Sequence, residues 1–149
     1  MADIFTRRKR SEVMSRIRSR GNGTTEEALA EALRGAGLTG WRRQVRIVGR
    51  LKDGARFGVR PDFVFRSARI AVFVDGCFWH GCPRHGARPS GNRKFWLAKF
   101  ARNRARDRRD TRRLKSCGWK VLRLWEHELR KSARPALLRK LRRHLPAET

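Results

Sequence analysis

Two short apolar segments near the middle of the chain restrict the fold more than any other feature. Residues 61–65 read PDFVF, residues 70–74 read IAVFV, and only residues 66–69 separate them. Apolar side chains at nearly every position indicate strands that are covered on both faces, and the short connection favours a β-hairpin. The sequence therefore predicts a sheet in the middle of the molecule, flanked by other elements.

Helical patterns lie on both sides of this hairpin. A basic helix is predicted over residues 10–20, and a second helix follows from Thr24, which stands in capping-box register with Glu27, to the glycines at 35 and 37. A long helix is expected from an Asn92 N-cap to about Ser116. Apolar spacing predicts a last helix over roughly residues 134–144.

Strand patterns complete the α/β interpretation. Residues 41–48 and 119–125 alternate between apolar and polar side chains, which is typical of strands, whereas residues 49–58 read as a polar loop. The element order predicts one mixed α/β domain over residues 1–149, with a C-terminal helix and tail at 134–149.

The charge of the chain points to a class of partner. It carries 39 Lys or Arg residues against 13 Asp or Glu, a formal net charge of +26. Such a charge repels itself in the folded state, and a polyanion, most commonly nucleic acid, is what compensates it. No apolar run approaches the ~20 residues of a membrane span, and the first residues lack an apolar signal core. We therefore expect a cytoplasmic, nucleoid-associated protein with no membrane partner.

A dense group of metal-binding residue types follows the second apolar segment. Cys77, Cys82 and His85 stand within nine positions of one another. Zinc prefers four Cys or His ligands, so a fourth must come from elsewhere. His127 is favoured over Cys117, at a helix end, and over His80. The competing interpretation is that the cysteines are ordinary small core residues.

Acidic residues at the ends of the predicted strands suggest a second cation. Hairpin pairing brings position 62 near position 73, so Asp62 and Asp75 come close together. Carboxylates beside buried strands are costly unless they are paired or bound to metal, and Mg²⁺ accepts one or two of them. Glu26 offers a third acid. Simple turn roles for the two aspartates and a helix-dipole role for Glu26 remain open.

The residues around the cysteines add chemistry and contact surface. His80 lies between Cys77 and Cys82 and could bind the metal or transfer a proton. The aromatic pair Phe78-Trp79, with Trp96, could stack on bases or could instead cover the small core. The arginine-rich run at 102–109 suits contacts to phosphates, which carry no sequence specificity.

Several motifs together resemble the very short patch repair (Vsr) DNA mismatch endonucleases. The likeness extends from about residue 10 to residue 128, and the GCFWH string is its most specific part. The segments that carry it are RPDFV at 60–64, DGCFWH at 75–80, RDRRD at 106–110, GWKVL at 118–122, Arg10-Ser11 with Met14, and EEAL at 26–29.

The resemblance implies a restriction-endonuclease-like core of the PD-(D/E)xK type and a defined reaction. Members of the family nick one DNA strand on the 5′ side of the T in a T·G mismatch, using Mg²⁺. Such mismatches arise by deamination of 5-methylcytosine, and the nick initiates very short patch repair. The partner it implies is double-stranded DNA with a T·G mismatch, bound by a monomer whose basic 1–20 segment contacts DNA, with mismatch-repair and repair-synthesis proteins acting downstream.

The resemblance also implies roles for individual residues. Asp62 matches the central carboxylate that binds Mg²⁺, and the carbonyl of Val74 matches a second contact to the metal. His80 matches the catalytic histidine. Glu26 matches a residue that orders the water shell. Asp75 stands where some members carry His, so we expect it in the active site with an open role. The structural zinc ligands of the family are matched by Cys77, Cys82, His85 and His127. The aromatic residues that intercalate into DNA are matched by Phe78, Trp79 and Trp96, and Met14 would approach from the other groove.

Two other functions fit part of the same pattern. One is a restriction-type nuclease with a different DNA target, and the other is a catalytically silent, zinc-containing DNA-binding module. Asp62, Glu26 and His80 together favour catalysis, because DNA binding alone has no use for acids on a basic surface.

Overall fold

The computed structural model describes residues 25–77, 82 and 91–146. Within these residues, helices cover 25–35 (α1), Arg93–Ser116 (α2) and Arg134–Arg142 (α3), and a 3-10 helix covers Glu126–Leu129. The strands are Trp41–Arg43 (β1), Ile47–Arg50 (β2), Arg56–Val59 (β3), Phe63–Phe65 (β4), Ile70–Asp75 (β5) and Lys120–Trp125 (β6).

Four strands form a mixed sheet in the order β1-β4-β5-β6. The predicted hairpin is confirmed: β4 and β5 pair antiparallel, with Phe63 opposite Val72 and Phe65 opposite Ile70. β1 pairs antiparallel with β4, and β6 lies parallel to β5 after the α2 crossover. Because β4 is buried at all of its positions, the interpretation of this segment as a strand covered on both faces is also confirmed.

Apolar clusters cover the two faces of this sheet. One cluster joins Leu29 and Leu33 of α1 and Leu137 and Leu141 of α3 to side chains of the sheet such as Phe63. The other joins Val64 and Ala71 to Leu114 of α2 and to the β2–β3 pair. The fold is therefore mixed α/β with a central mixed sheet, as predicted. No helix within the described ranges is long and apolar enough to cross a membrane.

The segment between residues 41 and 59 differs from its prediction. The single strand expected at 41–48 is two strands, β1 and β2, interrupted at Gln44, whose φ of 54° is left-handed. The loop expected at 49–58 contains β3, which pairs with β2 as a two-stranded hairpin. Its turn includes Asp53-Gly54, with Gly54 at a φ of 88°, and the Asp53 carboxylate accepts a bond from the Ala55 N–H.

The long helix α2 begins and ends close to the predicted residues. Asn92 is its N-cap residue as expected, but it adopts a left-handed φ of 52° and its side chain makes no capping hydrogen bond. Gly118 follows the C-terminal end with a φ of 83°, a conformation that glycine adopts at little cost. The Thr24 capping interaction and the 10–20 helix lie outside the described residues.

Candidate functional site

One edge of the four-stranded sheet gathers the predicted catalytic and Mg²⁺-binding residues that the structure describes. At this edge β1 ends at Arg43, β4 begins at Phe63, and β5 and β6 end at Asp75 and Trp125. Antiparallel pairing of β4 with both neighbours and parallel pairing of β5 with β6 bring these four chain positions together. We call it the carboxylate edge, because Glu26, Asp62 and Asp75 lie there.

Asp62 lies at the centre of the carboxylate edge. Its Oδ2 accepts a hydrogen bond of 2.8 Å from the Val74 N–H. Burial raises the pKa of Asp62 to about 6, and the neighbouring Glu26 and Asp75 carboxylates add to the rise, while the Val74 N–H opposes it. The expectation that Asp62 lies close to the end of the strand that bears Asp75 agrees with the β4–β5 register and with this hydrogen bond.

Glu26 is held at both carboxylate oxygens. Arg43 donates from Nη2 to Glu26 Oε2 at 2.8 Å, and the Gln44 side-chain amide donates to Oε1. Arg43 also reaches Glu27 through Nη1 at 2.5 Å. The Glu26 side chain is only 12% exposed, so this first-turn residue of the described helix points inward to the sheet rather than to solvent.

Asp75 is buried and pairs with an arginine of the neighbouring strand. Arg123 Nη1 lies 3.0 Å from Asp75 Oδ1. The same guanidinium donates through Nη2 to the Asp107 carbonyl at 3.0 Å and through Nε to the Thr111 hydroxyl at 3.1 Å. It also stacks over the Phe73 ring, with its central carbon 4.3 Å from the ring centroid. Arg123 therefore joins the carboxylate edge to α2.

A thiol and imidazole cluster adjoins the carboxylate edge. His127 Nδ1 lies 3.4 Å from Cys77 Sγ and 3.6 Å from Cys82 Sγ. Asp75 and Trp125 are register partners, so Cys77 and His127 each stand two residues beyond the paired ends of parallel strands. A tetrahedral zinc with bonds of about 2.0–2.3 Å separates N and S ligands by about 3.5 Å, which these distances match.

Cys117 is not a member of this cluster. It caps the C-terminal end of α2, half-buried, and its sulfur lies near Gly49. The preference for His127 over Cys117 agrees with this geometry. Other predicted site residues lie outside the described residues, namely Met14, Phe78, Trp79, His80 and His85.

Trp96 differs from the exposed aromatic that intercalation requires. It is 7% exposed and packs against Phe95 and Phe100, with ring centroids 5.3 and 6.1 Å away. Its neighbours Phe95 and Leu97 are 45% and 50% exposed. In this conformation the indole is part of the packing of α2, and its contact with DNA stays a prediction.

Sequence reasoning missed three residues that hold the acids in position, Arg43, Gln44 and Arg123. Arginine is so common in this chain that no pattern separates an internal partner from a surface charge. One signal was available, because Arg123 alternates with the buried Leu122 and Leu124 and so lies on the α2 side of β6.

The predicted basic surface is present on α2. The arginines at positions 102, 104, 106, 108 and 109 are all exposed.

Comparisons with known proteins identify the family. Residues 2–85 match the family model described as DNA mismatch endonuclease Vsr. The chain is 47% identical over 111 residues to the type II nicking enzyme V.NaeI of Lentzea aerocolonigenes, covering 74% of this chain and 64% of that enzyme, so it spans less than two thirds of that relative.

Two further relatives are covered over more of their length. The type II nicking enzyme V.NmeDIP of Neisseria meningitidis serogroup C is 41% identical over 132 residues, which is 87% of this chain and 82% of that one. The DNA mismatch endonuclease Vsr of Escherichia coli strain K12 is 39% identical over 131 residues, 87% and 77% of the two chains. This chain therefore belongs to the Vsr family of DNA mismatch endonucleases.

Proposed function

We propose that this chain nicks double-stranded DNA on the 5′ side of the T in a T·G mismatch, in a Mg²⁺-dependent hydrolysis that initiates very short patch repair. The observation that carries the proposal is the partly buried Asp62 beside two further carboxylates in a chain of net charge +26. A cluster of acids inside a polyanion-binding protein weakens DNA binding unless cations occupy it. A relative of this chain is named a DNA mismatch endonuclease, which supports the mismatch as target.

The donor atoms at the carboxylate edge fit Mg²⁺. They are oxygens, the ligands that this hard cation prefers, and Asp62 together with the Val74 carbonyl would hold it. Burial and the neighbouring Glu26 and Asp75 carboxylates raise the pKa of Asp62, and a bound cation would offset both effects. We infer a PD-(D/E)xK core, supported by Pro61-Asp62 at the start of β4 and by helices on both sides of the sheet.

The side chains divide the remaining tasks. Bound Mg²⁺ would supply charge neutralisation at the phosphate and a more acidic water. Glu26, whose two oxygens are already oriented by Arg43 and Gln44, has further lone pairs with which it orders water at the edge. His80 would transfer the proton. Asp75, fixed by Arg123, adds negative charge beside Asp62 and has no assigned proton step.

The thiol and imidazole cluster would hold a structural zinc. Cys77, Cys82 and His127 lie within 4.8 Å of one another through their ligand atoms, and we propose His85 as the fourth ligand. Burial and the adjacent Cys82 sulfur raise the pKa of the Cys77 thiol, so a bound cation is what would stabilise the thiolate. The zinc would fix the segment that carries His80 and the predicted intercalating pair, Phe78 and Trp79.

Strand-specific cleavage tests the proposed function. Duplexes with one T·G mismatch, labelled on each strand separately, are incubated with the protein and Mg²⁺. We expect a nick in the T strand only, lost in Asp62→Ala while DNA binding persists. Asp53→Ala, which changes an exposed acid in the β2–β3 turn, is the matched control and should retain cleavage.

A second function is favoured by the names of two relatives. V.NaeI and V.NmeDIP are called type II nicking enzymes, which leaves a restriction-type nuclease as the alternative. Cleavage of a fully matched duplex at the same rate as the mismatched one would support that alternative. Absence of cleavage with Mg²⁺, Mn²⁺ or Co²⁺ would instead support a DNA-binding module without catalysis.

A further inference from the structure

Gln44 occupies a backbone conformation that its side chain does not favour. Its φ is 54°, in the left-handed region, directly after β1 ends at Arg43. Glycine adopts this conformation without steric cost and asparagine tolerates it, whereas glutamine has neither advantage. The side chain is exposed, so burial of apolar surface does not explain its presence. Strained residues of this kind cluster at functional sites.

The hydrogen bonds of Gln44 connect two of the three acids at the carboxylate edge. The β1–β4 register pairs Arg43 with Phe63, and at the next position Gln44 stands opposite Asp62. Its N–H donates to the Asp62 carbonyl at 3.2 Å, and its side-chain amide donates to Glu26 Oε1. One residue thus contacts both the strand that bears Asp62 and the helix that bears Glu26.

Arg43, which also binds Glu26, does not by itself fix the orientation of the Glu26 carboxylate. Arg43 divides its guanidinium between Glu26 and Glu27, through separate nitrogens at 2.8 and 2.5 Å. That arrangement fixes one oxygen of Glu26 and lets the carboxylate rotate about it. A second donor on Oε1 removes the rotation, and a neutral amide does so without cancelling the negative charge.

We propose that Gln44 is a positioning residue that orients the Glu26 carboxylate toward Asp62 for cation binding. The proposal rests on the proposed function in assuming that this edge binds a divalent cation. Residues that orient metal ligands in this way contribute about 10- to 100-fold to metal affinity or activity. The left-handed φ of Gln44 then allows its side-chain amide to reach Glu26 while its backbone N–H bonds to the Asp62 carbonyl.

Gln44→Gly separates the role of the side chain from the backbone strain. It removes the amide, keeps the N–H that bonds to Asp62 and suits the left-handed φ, so Tm should stay equal or rise. We expect about 10-fold weaker binding of Mn²⁺, measured on the DNA-free protein by the electron paramagnetic resonance of free Mn²⁺. The Mg²⁺ concentration that half-activates nicking should rise in parallel. Gln44→Asn, which is one methylene shorter, should behave as Gln44→Gly does.

A double-mutant cycle with Glu26→Ala tests whether Gln44 acts through Glu26. In the Glu26→Ala background, Gln44→Gly should weaken Mn²⁺ binding by less than about 2-fold, because the group it orients is gone. Arg69→Gly is the matched control: Arg69 shares the left-handed φ, at 53°, but precedes β5 at the opposite edge of the sheet. It should leave the Mn²⁺ affinity unchanged.

Two results would overturn the proposal. One is an unchanged Mn²⁺ affinity in Gln44→Gly. If the Mn²⁺ affinity is unchanged and only the KM for DNA rises, the Gln44 side chain contacts DNA and does not position Glu26. The other is an equal loss with and without Glu26. The proposed function fails separately, if the wild-type protein binds Mn²⁺ but does not nick T·G duplexes, and the role of Gln44 is then decided by the Mn²⁺ titrations.

Discussion

At the scale of single residues, Asp62 makes folding dependent on pH. Its pKa rises from 3.8 to about 6 on folding, so the folded chain binds more protons than the unfolded chain between these values. The free energy of unfolding therefore falls by at most about 3 kcal/mol as pH rises through this window. Once the pH is well above about 6, Asp62 causes no further change in the free energy of unfolding. Asp62→Asn keeps an acceptor for the Val74 N–H and removes the charge. Without added Mg²⁺, we expect the variant to be more stable than the wild type at pH 8 but not at pH 4.

Urea unfolding at the two pH values measures this difference. The protein is dialysed against Mg²⁺-free buffer without a chelator, and the variant is compared with the wild type at each pH, so that loss of the proposed zinc in acid would affect both proteins alike. Added Mg²⁺ should stabilise the wild type at pH 8 and leave Asp62→Asn unchanged, because ligand binding to the folded state raises stability. A stability difference that is the same at pH 4 and pH 8 would contradict the assignment of the titration to Asp62.

The sequence predicted the acids better than the residues that hold them. Asp62 and Asp75 could be identified because carboxylates beside strongly apolar strands are costly and therefore conspicuous. Gln44 gave no such signal, since its role depends on a left-handed φ that no local pattern of residues indicates. The link from Arg123 to α2 depends on a crossover between parallel strands, which is tertiary information.

At the scale of elements, the ends of the parallel strands β5 and β6 define the proposed zinc site. Cys77 follows β5, His127 follows β6, and the cluster is completed by Cys82, whose N–H donates to the Cys77 carbonyl at 2.9 Å. We expect about one zinc per chain by metal analysis, and a thiolate-to-metal absorption band after substitution with Co²⁺. His127→Ala should lower the zinc content and release the connection between the two strand ends.

Cys117→Ser is the matched control for the zinc prediction. Cys117 is the remaining cysteine of the chain and lies outside the cluster, at the C-cap of α2. The variant should retain the full zinc content and the cobalt band. Equal loss of metal from Cys117→Ser and Cys77→Ser would exclude the proposed ligand set.

A second prediction at this scale concerns Arg123, which connects β5, β6 and α2. Its guanidinium contacts Asp75, Asp107 and Thr111, and a single substitution removes all of these bonds. Arg123→Met should lower the free energy of unfolding by about 2 kcal/mol, somewhat below the cost of breaking a fully buried pair. Arg123→Lys should not restore the stability, because a lysine ammonium cannot match the planar fork.

Arg69 provides the comparison for Arg123. It also stacks on an aromatic ring, Trp119, at 5.4 Å, and donates one hydrogen bond, to the Cys117 carbonyl. Arg69→Met should cost no more than about 1 kcal/mol, since cation–π contacts at exposed sites are weak. Equal unfolding midpoints for Arg123→Met and Arg69→Met in urea would show that the Arg123 network does not stabilise the fold.

The element order was largely predictable, and its one clear failure has a physical reason. Strong apolar runs predict β4 and β5, and a long segment without glycine or proline, bounded by Gly91 and Gly118, predicts α2. The β2–β3 hairpin was missed because β3 reads RFGV, with only Phe57 and Val59 buried and Gly58 packed against the Arg46 side chain. A strand half composed of arginine and glycine acquires its structure from the sheet beneath it, through the cluster with Val64 and Leu114.

At the scale of the whole molecule, the acids are few and their placement is selective. The chain has 13 acidic residues, and three of them converge on one edge of the sheet while exposed arginines cover α2. In the proposed function the basic surface would supply affinity for any DNA, whereas selectivity for a mismatch would have to come from contacts with the bases or from the ease of deforming the duplex. The two contributions should respond differently to salt.

Net charge leads to the last prediction, which concerns opposite effects of salt on folding and on DNA binding. Self-repulsion at +26 destabilises the folded chain, so raising NaCl from 50 to 300 mM should raise Tm. Over the same range the affinity for DNA should fall steeply, by about 10³-fold or more if six or more phosphates are contacted. Because matched and mismatched duplexes present the same phosphates, the ratio of their dissociation constants should change by less than about 3-fold. Fluorescence anisotropy with both duplexes measures this ratio, and a preference for the mismatch that vanishes with salt would mean that phosphate contacts, rather than bases, distinguish it.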